Sequence, residues 1–168
     1  MTKNTKQHAK VAIFMGSASD EALVRPCTEI LNQLDIPYFF TITSAHRTPE
    51  RTADLINELE QNNCQVYICA AGMAAHLAGA VAAKTIKPVI GIPLNASPLN
   101  GMDALLATVM MPPGFPVATV ALDKAGAKNA AWLAAQILAL KDDKLADKIK
   151  STRKEFKQAV EEAASKLK

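Results

Sequence analysis

Val11-Ala-Ile-Phe-Met15 runs directly into Gly16-Ser17-Ala18-Ser19-Asp20. Five apolar residues with no polar alternation read as a short strand buried on both faces. The glycine, two serines and aspartate read as a tight turn into a helix, because Ser and Asp oxygens accept from the free N–H groups of a first helical turn. Leu23, Val24, Cys27, Ile30, Leu31 and Leu34 then recur at helical spacing. A strand covered on both faces needs neighbours of its own kind, so the same strand–turn–helix unit should recur along the chain.

The unit repeats. Pro37-Tyr-Phe-Phe-Thr-Ile-Thr43 is a second strand, and Thr48-Pro49 caps a helix to about Glu60. Gln65-Val-Tyr-Ile-Cys-Ala-Ala71 is a third strand, with a helix over about 74–84. Lys87-Pro-Val-Ile-Gly-Ile-Pro93 is a fourth, followed by a loop, 94–101, and a helix over about 103–110. Pro116-Val-Ala-Thr-Val-Ala-Leu122 is a fifth, and Gly126 opens a helix to about Leu140. A last amphipathic helix spans about 142–166. Apolar strands alternating with helices predict an α/β fold: a parallel five-stranded sheet between two helical layers, joined by right-handed crossovers. The expected architecture is a three-layer α/β/α sandwich of flavodoxin-like type, strand order 2-1-3-4-5, with a C-terminal surface helix.

The chain's 168 residues, 49% hydrophobic and 21% charged, suit a single domain over 1–168. Within it, residues 1–10 are expected to be a flexible basic segment, 11–140 the catalytic α/β core and 141–168 the C-terminal helix. The N-terminal ten residues have no apolar stretch, so they do not read as a secretory signal. Three cysteines, Cys27, Cys64 and Cys69, form no C-x-x-C pair and cannot all cross-link. That points to a reducing, cytoplasmic setting.

The net charge of +3 resides in the ends. Residues 1–10 and 141–168 each contribute +3, leaving 11–140 at −3. A mildly acidic body is a poor nucleic-acid partner, which needs a basic face. Residues 64–122 carry only Lys84, Lys87 and Asp103 as charged side chains. Interspersed Gly, Gln, His and Pro argue against a membrane span there. An Ala-rich segment apolar all round must be covered all round. Part of this middle is therefore expected to lie against other copies of the chain, as in obligate interfaces.

In such a sheet, ligands bind beyond the carboxyl ends of the strands, at the switch point between strands 1 and 3. The segments expected there are Gly16-Ser17-Ala18-Ser19-Asp20, Ser44-Ala45-His46-Arg47-Thr48-Pro49, Gly72-Met73-Ala74-Ala75-His76-Leu77 and, after the fourth strand, Pro93–Gly101. A glycine-serine turn at a helix start suits an anion, although it also serves as a simple cap. Asp20 is better matched to a ribose diol than to phosphate. Arg47 offers a planar fork for a single phosphate, with Ser44 as a second donor; its other reading is a surface pair with Glu50 or Asp54. His46 can move a proton near neutral pH. His76, in the first turn of an apolar helix, can equally be structural. Two histidines without a neighbouring carboxylate make a poor metal set, so neither metal nor cofactor is expected.

Met15–Asp20, Ser44–Pro49, Ala74–Leu77, Leu99-Asn-Gly-Met-Asp-Ala-Leu105, Met111-Pro-Pro-Gly-Phe-Pro-Val-Ala-Thr119 and Lys124-Ala-Gly-Ala-Lys-Asn-Ala130, in this order, resemble the 5-(carboxyamino)imidazole ribonucleotide mutase family. The likeness covers about residues 10–140. It implies an isomerase of de novo purine (IMP) biosynthesis that moves a carboxylate from the exocyclic nitrogen to ring carbon 4, giving 4-carboxy-5-aminoimidazole ribonucleotide. The implied route is decarboxylation, retention of CO2 in a closed pocket and recarboxylation, without metal or cofactor. By the same resemblance His46 is the general acid/base. Ser17 and Asp20 meet phosphate and ribose, Ser44 and Arg47 add phosphate contacts, and Ala74–Leu77 line the pocket for base and CO2. The family is octameric, with sites between subunits.

The chain departs from the family's Gly-Gly-Ala-Ala-His-Leu-Pro-Gly at Met73 and Ala78, and has Glu21 where an aromatic residue is common. A related branch uses CO2 directly on aminoimidazole ribonucleotide. It has Lys after the histidine and lacks Ala-His-Leu, so Arg47 and His76 place this chain with the mutases. A non-catalytic, nucleotide-binding flavodoxin-like oligomer would account for the fold and the apolar middle, but not for His46 beside Arg47.

Overall fold

The computed structural model describes residues 5–167. Five strands, β1 (Val11–Met15), β2 (Tyr38–Ile42), β3 (Val66–Gly72), β4 (Val89–Leu94) and β5 (Ala118–Thr119), form one parallel sheet in the order β2-β1-β3-β4-β5. Among the described residues six helices cover it: α1 (Glu21–Gln33), α2 (Pro49–Gln61), α3 (Leu77–Ala82), α4 (Met102–Val109), α5 (Asp123–Ala139) and α6 (Asp143–Ser165). Architecture and strand order are those expected, and α6 supplies the C-terminal helix.

Strand alternation divides the core between the two helical layers. Val11, Ile13 and Met15 of β1 join Ile68 and Ala70 of β3 against α1 and α5. Ala12 and Phe14 join Tyr67 and Cys69 against α2 and α3. Central strands β1 and β4 are buried along their whole length, whereas β2, at an edge, buries only Tyr38. The Cys27, Cys64 and Cys69 thiols are all free and buried. Burial pushes Cys64 up to about 11, and Cys27 and Cys69 higher still, so all three are neutral thiols. No described helix is long and apolar enough to cross a membrane.

Three elements differ in extent from expectation. α3 begins at Leu77, not near Ala74, because Met73 adopts φ 54° and a tight turn holds Met73–His76 out of the helix. In that turn Ala75 N–H donates to Met73 O at 2.9 Å and His76 N–H to Ala74 O at 2.7 Å. β5 has only two residues; it is an edge strand with Pro116 two residues before it, and proline cannot donate to a ladder. α5 starts at Asp123 instead of Gly126, after a backbone reversal (Asp123 φ 55°) that lets the Asp123 carboxylate accept from Asn95 N–H at 2.8 Å. Residues 1–4 of the expected loose N-terminal segment lie outside the described residues. Ala9 is fully buried, and Lys10 is held by Lys10 N–H to Pro37 O (2.8 Å) and Gln65 N–H to Lys10 O (2.9 Å).

α5 packs closely through small residues: Ala127, Ala130, Ala131, Ala134 and Ala135 are fully buried. Gly126 sets this approach. A Cβ there would lie 1.7 Å from the Ala121 carbonyl oxygen, a backbone atom that cannot rotate away. Gly126→Ala is therefore expected to lower stability by about 1–3 kcal/mol or more, as overpacking does. Urea denaturation should show this as a lower midpoint.

Candidate functional site

Four connections meet at the carboxyl ends of the sheet. β1 leads through a single 3-10 turn (Ala18–Asp20) into α1, and β2, β3 and β4 into the turns before α2, α3 and α4. They enclose a cavity of about 590 Å³. Gly16, Ser17, Ser19 and Asp20 line one side, Ser44, His46 and Arg47 a second, and Gly72, Met73, Ala74, His76 and Leu77 a third. Ala75, also expected there from sequence, is instead 2% exposed and turned into the core. Ala71 and Ala96 line the cavity too; Ala96 comes from the 93–101 loop expected at this edge, in which the sequence singles out no residue. A larger groove, about 780 Å³, lies near Ile86 and Phe115. It borders the amino end of β4 and no histidine lines it, whereas His46 and His76 both line the smaller cavity.

The first turn is preset for polar contacts. Ser17 N–H donates to Asp20 Oδ2 at 3.1 Å, and Ser19 N–H to Ser17 Oγ at 3.4 Å, a reciprocal cap. The Ser19 hydroxyl lies 2.9 Å from Ser17 Oγ and 3.3 Å from Asp20 Oδ1. Asp20 is 8% exposed. Loss of water raises its carboxyl pKa, while the bonds from Ser19 and Ser17 pull the other way.

The second turn hangs on a threonine cluster, Thr43, Thr48 and Thr52, of which the sequence motif contains only Thr48. Thr43 Oγ1 lies 2.8 Å from Thr52 Oγ1 and 3.3 Å from Thr48 Oγ1. Thr48 Oγ1 accepts from Ser44 N–H at 2.9 Å, and Ser44 Oγ accepts from Arg47 N–H at 3.2 Å. Threonine in a strand or helix start is too common to be a signal by itself. Held by this cluster, the Arg47 guanidinium donates to Gly16 O at 3.2 Å across the cavity. Neither Glu50 nor Asp54 pairs with it among the described residues, whose ion pairs involve other side chains.

Across the cavity mouth, His46 Nε2 and His76 Nδ1 are 2.9 Å apart, with the rings edge to face at 75°. Gly72 positions the third turn. A Cβ there would lie 2.5 Å from Ala96 Cβ, so only glycine lets β3 end this close to the β4–α4 loop. No group of three His, Cys, Asp or Glu side chains placed to hold a metal occurs among the described residues.

Residues 10–159 match the model of the family described as AIR carboxylase. The chain belongs to the AIR carboxylase family. An N5-carboxyaminoimidazole ribonucleotide mutase of Saccharolobus solfataricus is 52% identical over 141 residues, 84% of this chain and 88% of its own. The mutase of Escherichia coli K12 is 48% identical over 146 residues, 87% of this chain and 86% of its own. That of Pyrococcus horikoshii is 46% identical over 157 residues, covering 94% and 88%. The crystal structure of Treponema denticola PurE superposes with a TM-score of 0.86 at 34% identity, covering 94% of this chain and 98% of the other.

In this member of the AIR carboxylase family the raised Asp20 pKa has a definite sign for stability. The folded chain binds a proton on Asp20 more readily than the unfolded chain does. This group therefore removes stability as pH rises from the unfolded value through the folded one, and returns it as pH falls. Asp20→Asn should abolish that contribution. The stability difference between wild type and variant, from urea titrations across pH 3 to 7, should shift in favour of wild type toward the acid end.

Proposed function

We propose that the chain is an N5-carboxyaminoimidazole ribonucleotide mutase of purine biosynthesis, with His46 as its general acid/base. The observation that carries the reading is His46 beside an arginine that pairs with no carboxylate among the described residues, in one cavity at the switch point. The relatives at about half identity, named as mutases, support the same choice over direct carboxylation of aminoimidazole ribonucleotide.

The phosphate of the substrate would take the Arg47 fork and the Ser17, Ser19 and Ser44 hydroxyls, beside the free N–H groups at the start of α1. Asp20 would accept from the ribose hydroxyls. The heterocycle then lies toward the two histidines, next to Gly72, Met73, Ala74 and Leu77. The bond between the exocyclic nitrogen and the carboxylate carbon breaks, its electron pair takes up a proton delivered by His46 to give the free amine, and CO2 is freed, leaving His46 neutral. Ring carbon 4 attacks CO2, forming the new carbon–carbon bond, and the proton on carbon 4 passes to His46. No oxidant or cofactor enters this balance.

The 2.9 Å contact restricts which His46 nitrogen can serve. Two neutral imidazoles facing each other share one proton. If His76 supplied it, the neutral His46 ring would carry its own proton on Nδ1 and have no lone pair left for substrate. A base at His46 therefore requires His46 Nε2–H to donate to His76 Nδ1, leaving His46 Nδ1 free. After proton uptake, His76 stabilises the resulting imidazolium by accepting from it.

CO2 must be kept from water and from escape, so the cavity needs cover. We assign part of it to other copies of the chain, in a homo-octamer. The α4 region leaves Leu99 (63%), Met102 (55%), Leu106 (51%) and Met110 (77%) exposed, a cluster of large apolar side chains of the kind that marks an interface. Three buried free thiols fit a cytoplasmic enzyme.

Purified protein given 5-(carboxyamino)imidazole ribonucleotide, without bicarbonate or ATP, should yield the carbon-carboxylated isomer. His46→Asn should fold and assemble normally yet lose about 100-fold or more of that rate, the usual worth of a proton-transfer group. A variant retaining full activity would remove His46 from the mechanism. Multi-angle light scattering should return the mass of eight chains; a monomer at micromolar concentration would contradict the assembly.

A further inference from the structure

Met73 stands out among the cavity residues. It is a non-glycine residue at φ 54°, a left-handed conformation that L side chains rarely hold. Its thioether side chain is 60% exposed, although the residue lines the cavity. Strain combined with an exposed apolar side chain lowers stability on both counts, so packing within one chain does not explain it. The turn around it is over-determined. Gly72 is pressed against Ala96 on one side, and Ala75 N–H bonds to Met73 O at 2.9 Å on the other. Neighbouring residues thus hold the Met73 side chain out at the rim of the cavity, between the His76 turn and the Ala96 loop.

We propose that Met73 is the apolar cover over the heterocycle end of this cavity, and that it governs how often CO2 escapes before recombining. This rests on the mutase reading above. Methionine suits such a cover because it is unbranched and polarisable. It can lie against the flat face of a ring or over a small apolar molecule without supplying a hydrogen bond to water. Between breaking of the carbon–nitrogen bond and formation of the carbon–carbon bond, the site holds aminoimidazole ribonucleotide and CO2. Each CO2 lost leaves aminoimidazole ribonucleotide as a side product, so the ratio of that product to the carboxylated isomer measures the cover directly. Met73 acts on retention and carries no proton.

Two measurements test this. The first is oxidation of Met73 by dilute hydrogen peroxide, read by peptide mass spectrometry, with and without saturating 4-carboxy-5-aminoimidazole ribonucleotide. The proposal expects ligand to slow Met73 oxidation several-fold; an unchanged rate with ligand bound overturns it. The second is the ratio of released aminoimidazole ribonucleotide to isomer in Met73→Ala, Met73→Gly and Met73→Leu. Alanine removes the thioether and keeps the left-handed strain, whereas glycine removes both. Both should raise the ratio several-fold, and leucine should stay near wild type. A ratio unchanged in alanine and glycine overturns the retention role. A rise in glycine alone would attribute the effect to backbone strain, overturning the cover. If wild type does not interconvert the two ribonucleotides, the mutase reading fails, and the oxidation measurement still decides whether Met73 covers a bound ribonucleotide.

Discussion

The geometry of the site depends on level strand ends. β1 pairs in parallel with β2 and with β3 so that Met15 lies opposite both Ile42 and Ala70. Three strands therefore finish within about two residues of one another, and the chain leaves each in the same direction. Parallel pairing is what allows this, since an antiparallel neighbour would send its turn to the opposite end of the sheet. The alternation that buries Ile13 under α1 and Phe14 under α2 locks the register. A slip of one residue would turn each side chain to the wrong layer.

Above that level base, local polar networks aim the side chains. The Ser17–Asp20 cap holds the first turn, and Thr43, Thr48 and Thr52 hold the second from beneath. Thr43 and Thr52 are buried, so their hydroxyls must be satisfied by one another and by nearby backbone. That requirement fixes the turn from which Arg47 projects. Its exposed guanidinium binds a backbone carbonyl, Gly16 O, and leaves its remaining donors available to an anion.

Most of the fold is legible in the sequence because its signals are local. Short apolar runs, helical spacing at Leu23 to Leu34, the Ser17–Asp20 cap and Pro49 at the start of α2 each act within a few positions. The features that differ from expectation depend on contacts distant in sequence or on a single strained residue. α3 loses its first turn to the left-handed Met73, which the helix-favouring alanines at 74 and 75 conceal. α5 gains three residues because the Asp123 carboxylate reaches the backbone of Asn95, 28 positions away. The motif groups Ala75 with its neighbours, but the tight turn points it into the core. Topology places the 93–101 loop at this edge, but nothing in it singles out Ala96, since an alanine in a loop becomes part of a wall only when Gly72 is pressed against it.

The same contrast bears on how much of an enclosed reaction one copy of the chain can support. The polar half of the cavity is complete within it: cap, threonine cluster, Arg47 and the two imidazoles find their partners in the same sheet edge. The apolar half is not, because Met73 stands 60% exposed at the rim and α4 turns Met102 and Leu106 outward. Hydrogen bonds can be satisfied locally by short turns, but excluding water requires continuous apolar area on every side of the guest. A thin rim of loops cannot supply that area alone. On the mutase reading proposed above, ligand recognition is encoded in one chain, while dryness depends on Met73 and on what closes over α4, and a polar residue at either place is expected to damage retention of CO2 before it damages binding of the phosphate.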